Sequence, residues 1–275
     1  MGKQKAAPVE KTEEPQSRFK TAISNLKPSI TGMDRGAAWA MAIEAVFCAT
    51  VYLIYRGITQ TIEWIKPGFE AIDLNRDDWA GNPLLIQKAY DGVISVLWKI
   101  GIAAAIWILV FLAAYCIFNS LIWAKLSGKK ADYPWIRRWV WTTIPWTIAW
   151  AVLFVLMAIA FKPEWYNWTV PIWFILYEYL TMPLHMTLTK EDGSKGWDAM
   201  KRATGIAILD WQTILWPMMI WLVAYLLITS IIDSVIDLTG SIALLPYLII
   251  MTIWLRRYAW MCQKPLLSTN RETFK

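Results

Sequence analysis

The sequence predicts an all-α fold: a polytopic integral membrane protein with six transmembrane helices and both termini on the cytoplasmic side. Three observations predict it. Hydrophobic residues make up 57% of the 275-residue chain and charged residues 17%, where an ordinary soluble domain carries about a quarter charged. The apolar residues gather into long runs, each near the roughly 20 residues that a helix needs to cross about 30 Å of hydrocarbon. The cations between those runs alternate between abundant and scarce. A formal charge of +6 raises nucleic acid as a partner, but the basic residues lie at the ends of apolar runs and form no single patch, so none is expected.

Residues 1–35 are polar and are expected to form a disordered cytoplasmic tail, with a helical or surface-bound stretch near Phe19 to Leu26. The first apolar run begins near Ala37, too far along and too long for the apolar segment of a secretory signal. The runs are 37–55, 100–123, 139–161, 168–188, 211–232 and 238–255. They are apolar on every face, whereas strands of a spanning barrel would alternate. Arg256 and Arg257 are expected to snorkel and let the last helix continue to Trp260. The membrane domain is therefore drawn as 36–262 and a cytoplasmic C-terminal tail as 263–275.

Between the first two runs, 56–99 is the one outer connection long enough to fold. Ile58 to Ile65 either extends the first helix or lies on the membrane, and Leu84 to Val96 leads helically into the second. Asp73, Asp77 and Asp78 lack the spacing and glycine of a calcium-binding loop, so a solvated acidic face is expected. Lys162 to Asn167 and Asp233 to Asp237 read as tight turns between antiparallel helices.

Counting Lys and Arg, residues 1–35, 124–138, 189–210 and 256–275 hold 21, and the alternate connections hold 5, with Lys99 left over at a helix end. That asymmetry places the first set on the cytoplasmic side of the cell membrane. Tryptophan agrees: Trp64, Trp98, Trp165 and Trp168 fall where the outer interface should be, and Trp39, Trp123, Trp135, Trp139, Trp197, Trp211 and Trp260 where the inner one should be. The deeper Trp107, Trp146, Trp150, Trp173, Trp216 and Trp221 are expected to pack between helices or against lipid, or to line an aromatic cavity.

Polar residues inside spans are costly and mark candidate sites. Glu44, Asn119, Glu178 and His185 form the candidate intramembrane polar site. At 1.5 Å per residue, Glu44 lies about 10 Å and Glu178 about 15 Å from the inner ends of their helices. They either share a site or each hydrogen-bond a neighbouring helix. His185, beyond the kink expected from Pro183, reads as a packed or interfacial histidine. A single histidine excludes bis-histidine haem ligation and a two-histidine zinc site, and Cys48, Cys116 and Cys262 are too dispersed for redox pairing. No phosphate-binding, metalloprotease or nucleophile-elbow motif is present, so neither cofactor nor metal is expected. An enzyme would have to build its site from Glu44, Glu178, Asn119 and Tyr177, and a non-enzymatic protein is the expectation.

Lys125, Gly128, Lys130 and the pair Arg137 and Arg138 precede the third run much as Lys190, Gly193, Lys195 and the pair Lys201 and Arg202 precede the fifth. Basic loops facing one leaflet resemble each other by selection, and coincidence is the favoured reading over a repeat. The stretch Met182, Pro183, Leu184, His185, then the amphipathic Gly196 to Gly205, then Trp211 resembles a pattern in six-helix prokaryotic membrane proteins. Ala199, Met200, Lys201, Arg202, Ala203, Thr204 and Trp211 carry it, with Trp254 to Tyr258 similar to their C-terminal helix. Over residues 100–262 the chain looks like the uncharacterised YciC-type family, two further families of unknown function, and the membrane domain attached to some glycerophosphodiester phosphodiesterases. The resemblance implies architecture, since most of these families lack an assigned activity.

The expected function is that of a scaffold or accessory subunit of a membrane assembly. Lys125, Lys129, Lys130, Arg137, Arg138, Lys195, Lys201, Arg202, Arg256 and Arg257 would meet anionic lipid headgroups or an acidic partner, and the apolar faces would meet lipid or other membrane subunits. The alternative is a small transporter or lipid-handling protein using Glu44 and Glu178.

Overall fold

The structure, a computed structural model, describes residues 18–70, 83–189, 196–235 and 244–269. These residues are helical almost throughout, with no strand among them. The helices are α1 (Arg18–Thr31), α2 (Arg35–Glu70), α3 (Pro83–Ser127), α4 (Tyr133–Ala160), α5 (Tyr166–Leu188), α6 (Gly196–Leu209), α7 (Trp211–Val235) and α8 (Leu244–Thr269), with a single 3-10 turn at Pro163–Trp165. Among the described residues four helices are long and apolar enough to cross a membrane: α2, α3, α4 and α7. The fourth apolar run forms α5 and the sixth forms α8, outside that set. Helix α5 is rich in Tyr and Trp, which favour the membrane interface over its centre, and α8 carries Arg256 and Arg257 within its apolar length.

Local chemistry sets the helix ends. Asp34 caps α2, its carboxylate accepting from the Ala37 amide at 3.0 Å, and Asp132 caps α4 through the Trp135 amide at 3.0 Å. Helix α3 ends at Gly128, whose φ of 70° turns the chain out of the helix. Lys129 then donates back to the Ala124 carbonyl at 2.8 Å and Gly128 to Lys125 at 3.3 Å, the paired bonds of a glycine-terminated helix.

Contacts bring several of these ends to one end of the bundle. Gly36 approaches the Lys125 carbonyl so closely that a Cβ would lie 2.7 Å from its oxygen, and Gly196 lies against Thr142 in the same way. Arg138 donates to the Leu188 carbonyl at 2.6 Å, closing the end of α5 onto α4. Arg18 pairs with Asp210, and Arg257 pairs with Asp34 and donates to the Gly32 carbonyl. The main buried cluster sits here, with Trp123, Trp139, Leu184, Met186, Leu188 and Ile214 almost fully enclosed.

Two expectations change, and one alternative left open is decided. The stretch around Phe19 to Leu26 belongs to a docked helix: Tyr258 donates to the Ala22 carbonyl at 2.8 Å, Trp254 to the Ser29 hydroxyl at 2.9 Å, and Phe19 meets Trp216 edge-on at 4.9 Å. Burial of Ala22 and Ser29 against α8 supplies what a free tail lacks. The described parts of the outer connection are helix, since α2 runs unbroken to Glu70 and extends the first helix, and α3 begins at Pro83; Asp73, Asp77 and Asp78 lie outside the described residues. Helix α8 continues to Thr269, into the segment expected as a tail.

Candidate functional site

Two of the four residues of the predicted polar site meet one aromatic cluster. On α3, Tyr115, Asn119 and Trp123 are spaced four apart and so share one face. His185 of α5 packs against that face, its ring centroid 6.3 Å from Tyr115 and 6.1 Å from Trp123, and against Trp139 of α4 at 4.8 Å. Asn119 is 1% exposed and donates to the Tyr115 carbonyl at 2.9 Å. A hydroxyl chain lies beside it: the Tyr177 hydroxyl is 3.3 Å from that of Tyr115 and 3.3 Å from that of Thr147, linking α5 to α3 and α4.

Glu44 is buried and accepts from Arg256 at 2.8 Å, an ion pair between α2 and α8. Glu178 is exposed on α5 and lies within electrostatic reach of both Arg256 and Glu44. The structure thus gives the two acids one shared cation and gives the direct pair to Glu44.

Five polar atoms of this region are buried with no hydrogen-bond partner among the described residues: Asn119 Oδ1, Trp123 Nε1, Trp139 Nε1, Thr143 Oγ1 and His185 Nε2. A buried polar atom left unpaired costs about 1–3 kcal/mol. The set contains acceptor and donors together, the chemistry of a site for water or a small hydrogen-bonding solute. No group of three or more His, Cys, Asp or Glu with metal-holding geometry occurs among the described residues.

Reasoning from sequence missed Tyr115, Trp123, Trp139 and Arg256 as members. The four-residue spacing on α3 was the available signal for the first two. Arg256 had none, because its partner is 212 positions away.

The basic set divides. Lys125, Lys130, Arg137 and Lys201 are exposed, Lys201 lying 5.8 Å from the centre of the Trp197 ring. Lys129, Arg138 and Arg202 are half-buried, and Lys195 lies outside the described residues. Arg256 and Arg257 turn to carboxylates within the chain, Glu44 and Asp34. Asp34, the partner of Arg257, is held below the usual carboxylate range chiefly by the Ala37 amide, with burial opposing that effect and the charge and hydrogen bond of Arg257 adding to it.

No protein-family model, curated protein or solved structure matches this chain. What fold and site define is a class: an all-helical protein with helices able to span a membrane.

Proposed function

We propose that the chain crosses the cell membrane six times, keeps both ends in the cytoplasm, and acts without catalysis as a scaffold or accessory subunit of a membrane assembly. The observation that carries this reading is the uncovered apolar surface of α4 and α7. Val152, Val155, Leu156 and Ile159 on α4, and Val223, Leu226, Leu227 and Ile231 on α7, are each more than half exposed. Such faces suit lipid and neighbouring membrane helices. Support for an even number of crossings comes from the gathering of Asp34, Lys125, Asp132, Leu188, Gly196 and Arg257 at one end of the bundle. The basic residues exposed there fit anionic headgroups or an acidic partner.

Cross-linking in intact cells followed by mild-detergent purification tests the reading. A defined membrane partner, captured through cross-linkers placed at Val152 and Leu227 and lost when both become Lys, is expected. Recovery of the protein alone under those conditions removes the subunit role. Labelling of single cysteines placed in 1–17 and 71–82 tests the topology, and reaction of the first from outside the cell overturns it.

A second reading, a small carrier working through Glu44 and Glu178, is favoured by the placement of Arg256 within reach of both acids. Unchanged proton flux into proteoliposomes after Glu44→Gln and Glu178→Gln removes it.

A further inference from the structure

A groove of about 1030 Å³ runs between α2, α3 and α4, in the half of the bundle away from Asp34 and Lys125. Ile58 and Ile62 of α2, Ala104 and Ile108 of α3, and Ala151 and Val155 of α4 line it. From Ile100 to Leu112 the wall of α3 covers about 18 Å, close to the roughly 15 Å depth of one leaflet's hydrocarbon. Its side is open, since Ile62, Ile108 and Val155 remain 61%, 58% and 55% exposed.

The floor is built by a close approach. A Cβ on Gly57 would lie 2.2 Å from the Trp107 ring, so only glycine lets that indole lie against α2. Trp107 Nε1 donates to the Thr61 hydroxyl at 3.1 Å, and that hydroxyl donates to the Gly57 carbonyl at 2.8 Å. Thr147, at the inner end, is engaged with Tyr177. The polar groups of the walls are thus occupied, and the length of the groove offers a guest no hydrogen bond. A polar solute would lose its own hydration there without replacement. A hydrocarbon chain would not.

The mouth differs. Lys66 lines it, paired with Glu70 at 3.4 Å in a contact exposed on both sides. Beside it Lys99 lies 5.7 Å from the centre of the Trp64 ring, and Trp64 and Trp98 are 69% and 68% exposed, as in an interfacial aromatic belt. Glu63 and Glu70 offset part of this charge, so a cation is present but no strong field. We infer that the groove binds one phospholipid of the leaflet opposite Asp34, with an acyl chain between α2, α3 and α4 and the phosphate at Lys66. The inference rests on embedding in a membrane and is independent of the scaffold role. Since lipid tails are as apolar as the groove wall, retention comes from the fit of the chain and from the phosphate contact.

The test is native mass spectrometry of the full chain in mild detergent with palmitoyl-oleoyl-phosphatidylcholine, or with the diacylglycerol carrying the same chains. Ala151→Trp fills the groove and should cut retention of both lipids at least about fivefold. Lys66→Gln should cut retention of the phospholipid about fivefold, the scale of one exposed charge contact, and leave the diacylglycerol unchanged. Leu153→Trp, on the same helix and outside the groove, should change neither. Equal retention by Ala151→Trp and wild type, or equal loss in Leu153→Trp, overturns the proposal. An equal effect of Lys66→Gln on both lipids overturns the assignment of the phosphate. Should Ala151→Trp not fold, a phosphatidylcholine with a photoreactive acyl chain decides on the wild-type protein. Labelling concentrated on 147–156 supports the site, and labelling spread evenly over α7 overturns it. These readouts need no partner, so they can succeed where the capture experiment fails.

Discussion

Breaking the pair between Glu44 and Arg256 is the perturbation with the largest expected effect. The carboxylate and guanidinium are 2.8 Å apart, with side chains 9% and 18% exposed, and they join α2 to α8. Replacing Glu44 with Gln removes one charge and leaves the other facing a low-dielectric surround. Loss of one member of a buried pair costs about 3–5 kcal/mol, mostly the cost of the charge left behind. With about 2–4 °C per kcal/mol in a chain of this size, each of Glu44→Gln and Arg256→Gln should lower the melting temperature by about 6–20 °C. The double variant strands neither member of the pair, and its loss should fall well short of the sum, with a coupling of about 2 kcal/mol or more. Scanning calorimetry of the four proteins in one mild detergent completes the cycle. Single losses under about 1 kcal/mol, or additive losses, would refute the reasoning. So would a fully stable Glu44→Gln protein that has lost proton flux, since the acid would then be a working group and not a brace.

Three further outcomes follow from named contacts. Tyr258→Phe and Trp254→Phe each delete one bond to α1, about 1 kcal/mol apiece, and hydrogen exchange should show faster exchange confined to Phe19 to Ser29. Exchange that rises equally in α3 would contradict local docking. Gly57→Leu forces Trp107 off α2 and should cost about 1–3 kcal/mol, with Trp107→Ala relieving part of that cost; an unperturbed Gly57→Leu protein would contradict the contact. The carboxyl of Asp34 is depressed below its ordinary value of 3.8, so its contribution is present above that pH and is lost as pH falls through the lower folded value. Wild type should therefore lose more melting temperature on acidification below about pH 4 than Asp34→Asn, and parallel curves would remove the Asp34 cap as a source of acid sensitivity.

Composition and the length of the apolar runs decide much of this protein at the level of the chain. Continuous apolar stretches near membrane thickness satisfy their backbone only as helices, and the four that form α2, α3, α4 and α7 are legible without coordinates. Caps at Asp34 and Asp132 and the stop at Gly128 are equally local, since each depends on a residue and its neighbours within about four positions. The continuation of α2 through Arg56 to Glu70 was legible only as an option. Its charged positions suit either a surface helix or a loop, and pairing along α3 decides between them. Asn119 and His185 were legible as polar residues in apolar surroundings, but their meeting was not, because ring contacts between α3, α4 and α5 depend on how three helices rotate about their axes. The inward turn of Arg256 and the docking of α1 on α8 likewise join positions more than 200 residues apart. Hydropathy and capping act along a few turns of one helix, so the sequence alone carries them. Ion pairing, ring packing and the groove between α2, α3 and α4 arise from surfaces of different helices, and only their arrangement in space determines them.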